Sequence, residues 1–303
     1  MTASSSIAHV ESPTERRNPR TTGLDRMSTA ELLAAINAED RTVPDAVRAA
    51  LPELARAVDA ATGALRAGGR VHYVGAGTSG RLAVLDAAEL APTFNIDPDW
   101  FVAHHAGGER ALRNAVENAE DDADTAAAEV GDAVAPGDVV LGLTASGRTP
   151  YVLGALREAR RRGATTALVS CNPRVTVGDE VDILVTVDTG PEVIAGSTRM
   201  KAGTAQKLVL TAFSTATMVR MGRTYSNLMV SMRATNAKLR GRTLRILREA
   251  TGGTERDCAR ALADADGDLK IALVRLLSGA EVTEADAALR RSDGHVRDAL
   301  AAL

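Results

Sequence analysis

From Arg70 onward the hydrophobic pattern of the chain switches repeatedly between a strand-like and a helical period, and this alternation narrows the fold more than any other feature. Short Val/Leu runs stand at 71–74 ("VHYV"), 139–143 ("VVLGL"), 166–170 ("TALVS") and 182–187 ("DILVTV"), each bounded by Gly, Pro, Asn or Asp. "WFVAHHA" at 100–106 reads as a further strand. Helical patterns fall between them at about 80–90, 109–134, 149–162 and 200–221. Such alternation predicts βαβ units, hence an α/β fold with a parallel sheet sandwiched by helices in three layers. Aromatic residues make up only 2% of the chain against 45% hydrophobic overall, so Ala, Val, Leu and Ile must build the core, as buried parallel strands allow.

The flanks read differently. Residues 1–26 are polar, contain proline and show no period, and are expected to form a flexible arm. Ser28 and Glu31 make a capping box for a short helix through Asn37, and Thr42 before Pro44 starts a longer one to about Ala67. After Asn236 everything is helical, punctuated by Gly252-Gly253, Gly267 and Gly279. Three segments are therefore expected: the arm (1–26), an α/β domain with flanking helices (27–240), and a C-terminal helical subdomain (241–303), for which a ubiquitin-associated-like arrangement of three helices is the expectation.

Bulk properties exclude several classes of function. The net charge is −3 and the basic residues are interspersed with acidic ones, which leaves no electrostatic footprint for nucleic acid. Cys171 and Cys258 lie in different predicted elements and support neither a disulfide framework nor a thiolate metal site. No run of about 18 apolar residues is present, and the first 20 residues have no apolar core of a signal sequence, so a cytoplasmic protein without membrane contact is expected.

The first predicted strand runs into Gly75, Gly77 and Gly80, the G-x-G-x-x-G spacing of dinucleotide-binding folds. Such a fold also needs an acidic residue about 20 positions on, at the end of a second strand. Asp97 and Asp99 sit in a Pro-interrupted loop instead. The loop also carries Thr78 and Ser79 where the backbone turns into a helix, a setting that suits a single phosphate on free N–H groups. A second strand-to-helix turn places Thr144, Ser146, Gly147 and Thr149 within six positions. Two such turns at the carboxyl ends of one sheet can converge on one ligand.

"GAGTSGRLAVLDAAELAPTF" (75–94), "AGGERALRNAVENAEDD" (106–122), "ASGRTPYV" (145–152), "SCNP" (170–173) and "GSTRMKAGTAQKLVL" (196–210) together closely resemble the N-acetylmuramic acid 6-phosphate etherase family, built on a sugar isomerase (SIS) domain. The similarity extends from "LDRMST" through "NLMVSMRATNAKL" (227–239) into the helical tail. The resemblance implies cleavage of a D-lactyl ether on a phosphosugar in cell-wall amino-sugar recycling, without a metal or organic cofactor. It implies phosphate binding by Ser79, Thr144, Ser146 and Thr149. The family's two catalytic glutamates fall on Glu89, in "DAAE", and Glu120, in "NAED", with Ala88 and "LAPT" departing from the usual surroundings of the first. It also implies a homodimer.

On spacing alone either glutamate reads as an ordinary solvated carboxylate, Glu120 within a charged helical stretch. Gly77, Thr78, Glu192 and Lys201 are further possible substrate contacts, with a helix cap by Ser197 or Thr198 as the alternative for that loop. His104 and His105 are adjacent in a strand, point to opposite faces and make a poor pair for one metal ion. Two other functions use the same loops: a phosphosugar aldose-ketose isomerase, and a non-catalytic sugar-phosphate sensor.

Overall fold

The computed structural model describes residues 12–232, 234 and 237–303. The chain divides into two compact units, residues up to Leu85 with Phe101–Phe213, and Asp86–Trp100 with Ser214–Leu303.

The first unit holds the expected parallel α/β sheet. Helices α1 (Thr29–Asp40), α2 (Val43–Ala49) and α3 (Leu51–Arg66) lead into β1 (Val71–Gly75), which runs into α4 (Gly77–Phe94). Then follow β2 (Phe101–His105), α5 (Gly108–Arg113), α6 (Ala123–Ala133), β3 (Val139–Thr144), α7 (Pro150–Arg161), β4 (Thr165–Ser170), β5 (Ile183–Thr186) and α8 (Lys201–Arg220). The five strands form one parallel sheet in the order β2-β1-β3-β4-β5. Successive side chains of a strand face opposite ways, and the core follows that rule. Val74, Val140 and Leu168 pack with Val130, Val152, Leu156 and Ala159 of α6 and α7. Tyr73 points the other way, its ring 5.7 Å from Phe101 and 6.1 Å from Phe213.

Three local expectations need correction. The helix expected over 42–67 is broken at Ala50, because Pro52 cannot donate to the preceding turn and instead starts α3. The helix expected over 109–134 is two helices, α5 and α6. Between them Asn114 is extended, Asn118 is left-handed (φ 62°) and residues 119–121 form one tight 3-10 turn. Glu120 therefore stands on a loop.

The third correction concerns the arm. Residues 1–11 lie outside the described residues, but 12–26 are packed against the domain. Gly196 N donates to Thr14 O at 2.9 Å, Thr21 Oγ1 donates to Val193 O at 2.8 Å, and Arg20 Nη2 donates to Glu39 at 2.8 Å. Polar side chains and three single-turn 3-10 helices do this work, none of which has a hydrophobic period to read.

The second unit contains α9 (Ala237–Thr251), α10 (Glu255–Asp264), α11 (Leu269–Ser278), α12 (Val282–Arg291) and α13 (Val296–Ala301), with a two-residue hairpin of β6 (Thr224–Tyr225) and β7 (Leu228–Met229). Leu247, Cys258, Leu273, Ala288 and Val296 share its core. Residues 241–303 thus hold the end of α9 and four more helices where an arrangement of three was expected; left-handed Gly279 and Gly294 separate α11, α12 and α13. No helix among the described residues is long and apolar enough to cross a membrane.

Candidate active site

The strand order reverses direction between β1 and β3, since the chain goes from β1 to one neighbour and returns to the other side. Ligands of open α/β sheets bind in the crevice at such a switch point, beyond the carboxyl ends of the strands. Here the crevice receives the turn after β1 and the turn after β3.

The first turn depends on two glycines. A Cβ on Gly75 would lie 2.7 Å from Gly80 N, and one on Gly80 would lie 2.6 Å from Gly75 O, so the end of β1 and the start of α4 touch backbone to backbone. The first bond of α4 runs from Gly80 N to Ala76 O at 3.2 Å, which leaves the N–H groups of Gly77, Thr78 and Ser79 without intrahelical acceptors. The Ser79 hydroxyl donates to Gln206 Oε1 at 2.8 Å, and both side chains are buried.

The second turn is a hydroxyl cluster. Thr144 Oγ1 lies 2.7 Å from Thr149 Oγ1 and 3.3 Å from Ser146 Oγ, and it accepts from Gly147 N at 3.2 Å. Gly147 is left-handed (φ 77°), and a Cβ there would meet Val175 and Ser170, so this turn is also closely fitted.

Both turns open onto one cavity of about 240 Å³ lined by Gly77, Thr78, Ser79, Thr144, Ser146, Thr149 and Glu120. Its remaining wall includes Thr14, Glu15, Gly196 and Thr198. Sequence reasoning missed Thr14 and Glu15, because they belong to the aperiodic N-terminal segment. It also missed Gln206, although "GTAQKLVL" contains it. A second cavity of about 240 Å³ shares Ala76, Gly77 and Glu120 with the first and adds Arg81, His105, Ala111, Ala115 and Val116. Glu120 is exposed on the wall between them.

The other expected residues are placed elsewhere. Glu89 is exposed on α4, in the second unit, and lines neither cavity. Glu192 and Lys201 are fully buried, and their side chains are committed to the framework. The Glu192 carboxylate accepts from Lys201 N at 2.8 Å and Ala202 N at 2.9 Å, capping α8 in place of Ser197 or Thr198. The Lys201 ammonium donates to Glu39 at 2.9 Å and to Pro191 O at 3.1 Å. His104 turns away from His105, its Nε2 lying 3.0 Å from His72 Nδ1, and burial holds its pKa down at about 4.

Glu39 yields a prediction. The Arg20 hydrogen bond, with Lys201 assisting, holds its carboxyl at about 2, below an ordinary value of 4.5. A carboxyl depressed on folding stabilises above its unfolded pKa and loses that contribution as pH falls through the folded one. Stability should therefore fall between about pH 4.5 and pH 2, and Glu39→Gln should flatten that part of the profile in urea denaturation. Lys201→Met should cost about 3 kcal/mol by the same measurement, because one partner of a buried pair is removed.

Comparison with known proteins fits this architecture. Residues 53–160 match the model of the glucokinase regulatory protein N-terminal SIS domain, and 114–216 match the SIS domain model. The fold and its paired strand-to-helix turns are thus those of a SIS-domain protein. Over 269 residues the chain is 61% identical to the N-acetylmuramic acid 6-phosphate etherase of Thermobifida fusca, covering 89% of this chain and 88% of that one. It is 52% identical to the etherase of Cutibacterium acnes over 95% of both chains, and 50% identical to that of Serratia proteamaculans over 94% and 97%. The chain belongs to the N-acetylmuramic acid 6-phosphate etherase family.

Proposed function

We propose that this protein is a lyase that cleaves the D-lactyl ether of N-acetylmuramic acid 6-phosphate, giving N-acetylglucosamine 6-phosphate and D-lactate in cell-wall amino-sugar recycling. The observation that carries the reading is the meeting of two hydroxyl-bearing turns, the N–H groups that open α4 and the carboxylate of Glu120 at a single cavity, in a chain 61% identical to an etherase.

In this reading the phosphate rests on the hydroxyls of Ser79, Thr144, Ser146 and Thr149 and on the N–H groups that open α4, with Gly77 and Thr78 against it. Holding that end orients the reacting carbons, which is where much of the advantage of a bound substrate lies. An alkoxide is a poor leaving group, and the open-chain sugar offers a way around it. Its aldehyde acidifies the hydrogen on C2, so a base can remove that proton while the electron pair forms a C2–C3 double bond and the C3–O bond breaks. A general acid protonates the departing lactyl oxygen. Water then adds its oxygen to C3, and a proton returns to C2. Glu120 is the base, on C2 or on the incoming water, and Glu89 is the acid. A positioned proton transfer of this kind contributes about 10² to 10⁴ in rate. We further infer that the protein acts in the cytoplasm as a homodimer in which loops or C-terminal helices of one subunit cover the open site of the other.

The deciding experiment incubates the protein with N-acetylmuramic acid 6-phosphate in H₂¹⁸O. Free lactate and ¹⁸O at C3 of the sugar are expected. An aldose-ketose isomerase or a sensor would release no lactate, and ¹⁸O in the lactate would replace elimination by cleavage on the other side of the ether oxygen. Gln206 gives a second check: Gln206→Met leaves the Ser79 hydroxyl without its acceptor and should weaken N-acetylglucosamine 6-phosphate binding about fivefold by calorimetry.

A further inference from the structure

We propose that the second cavity is a carboxylate-binding subsite, in which Arg81 and His105 receive the lactyl carboxylate of the substrate. The proposal rests on the etherase reading and adds to it the place of the leaving group.

The two cavities differ in chemistry. The first offers hydroxyls and N–H groups, with no Lys or Arg among the described residues that line it. The second has a guanidinium and an imidazole at its wall and, facing them, the small apolar side chains of Ala111, Ala115 and Val116. A substrate with a phosphate at one end and a carboxylate on its ether arm presents two anions, and of these two cavities the second holds a cation among its described residues. The lactyl methyl group fits the apolar side. A neutral acetamide would gain less from a guanidinium there than a carboxylate does.

His105 supplies the independent sign of a ligand. It ends β2, is 6% exposed, and among the described residues neither ring nitrogen makes a hydrogen bond of good geometry, the carbonyls of Gly75 and Ala111 being its nearest acceptors. Buried polar groups are nearly always satisfied, and those that are not call for a partner. The carbonyls of Gly75 and Ala111 lie close enough to favour its charged form, while burial and then Arg81 favour the neutral one more strongly. A carboxylate entering the cavity would give the ring an acceptor and the neighbouring guanidinium a counter-charge.

Arg81 is already oriented for this. Its Nε donates to Leu112 O at 3.1 Å and its Nη2 donates to Ala111 O at 2.7 Å and Asn114 O at 3.4 Å. Nη1 takes part in none of these bonds, and a guanidinium has five donors. The same bonds tie the start of the loop that carries Glu120 to the first turn of the phosphate-binding helix. Glu120, on the shared wall, then stands between the two anionic anchors, where the carbons that link them must lie.

The test titrates D-lactate and its neutral isostere D-lactamide by calorimetry into protein saturated with N-acetylglucosamine 6-phosphate, which lacks the lactyl arm. Wild type, His105→Gln and Val116→Phe are compared, the last filling the cavity without touching a polar group. Wild type should bind D-lactate at least about tenfold more tightly than D-lactamide. Both variants should weaken D-lactate at least about tenfold and keep N-acetylglucosamine 6-phosphate within about twofold, which also reports that they fold. Equal affinity of wild type for lactate and lactamide, or D-lactate binding unchanged in both variants, would overturn the subsite. Lactate release from N-acetylmuramic acid 6-phosphate is scored separately on wild type, so a failed etherase reading is told apart from a failed subsite.

Discussion

Glu120→Gln and Glu89→Gln should each lower lactate release by about 10² to 10⁴ while N-acetylglucosamine 6-phosphate affinity stays within about twofold. Glutamine keeps the shape of the side chain and one acceptor oxygen, and it loses only the ability to exchange a proton. Both positions are exposed, so neither substitution buries an unsatisfied amide. Lactate release by a coupled assay and phosphosugar binding by calorimetry check the pair. Activity within about tenfold of wild type would remove that carboxylate from the proton transfers, and lost binding would make it a ligand. Reaction in D₂O separates the two roles further. If Glu120 works at C2, Glu120→Gln should also abolish exchange of the C2 hydrogen, whereas a variant that has lost only the acid should still exchange it.

Gly80→Ala should be strongly damaging although it adds one methyl group. The added Cβ would stand 2.6 Å from Gly75 O and 2.7 Å from His105 Nδ1, and the first of these is backbone, which cannot turn aside. Relief requires α4 to move off the end of β1. The expected cost is about 3 kcal/mol, at the upper end of what overpacking causes, together with loss of phosphosugar binding, because the free N–H groups of α4 move with the helix. Gly77→Ala is the contrast. Nothing lies within 4 Å of a Cβ there, and the penalty is that of a left-handed backbone (φ 53°), about 1 to 2 kcal/mol. Urea denaturation of the two variants should rank them in that order; a wild-type midpoint for Gly80→Ala would contradict the close approach.

The residues that announced the sheet did so because a strand buried on both faces has no alternative to a short apolar run, and β1, β3 and β4 are such strands. The two hydroxyl turns were equally legible, each lying directly after one of those runs. Glu120 was harder. "ERALRNAVENAEDDADTAAAEV" keeps good helix formers throughout, and its break depends on Asn114 turning extended and Asn118 adopting φ 62°, conformations that many asparagines do not adopt. Glu192 and Lys201 looked like site residues because charges in a loop are usually solvated. What commits Glu192 is the pair of N–H groups of Lys201 and Ala202 that it caps, and what commits Lys201 is Glu39, 162 positions away in the chain. His105 carried no signal at all beyond its strand, since an unsatisfied ring nitrogen is a property of three dimensions.

The cavity proposed to hold the phosphate is lined by hydroxyls and opens on the N–H groups at the start of α4, with two carboxylates and no Lys or Arg among its described lining residues. Short, directed hydrogen bonds of this kind are little affected by an ionic atmosphere, which screens over about 8 Å at physiological strength. Affinity for the phosphate end of the ligand should therefore change little between dilute buffer and high salt. A site that captures its anion with an arginine clamp would lose affinity across that range, so phosphosugar capture here depends on the fit of the two turns and stays steady as the salt content of the surroundings changes.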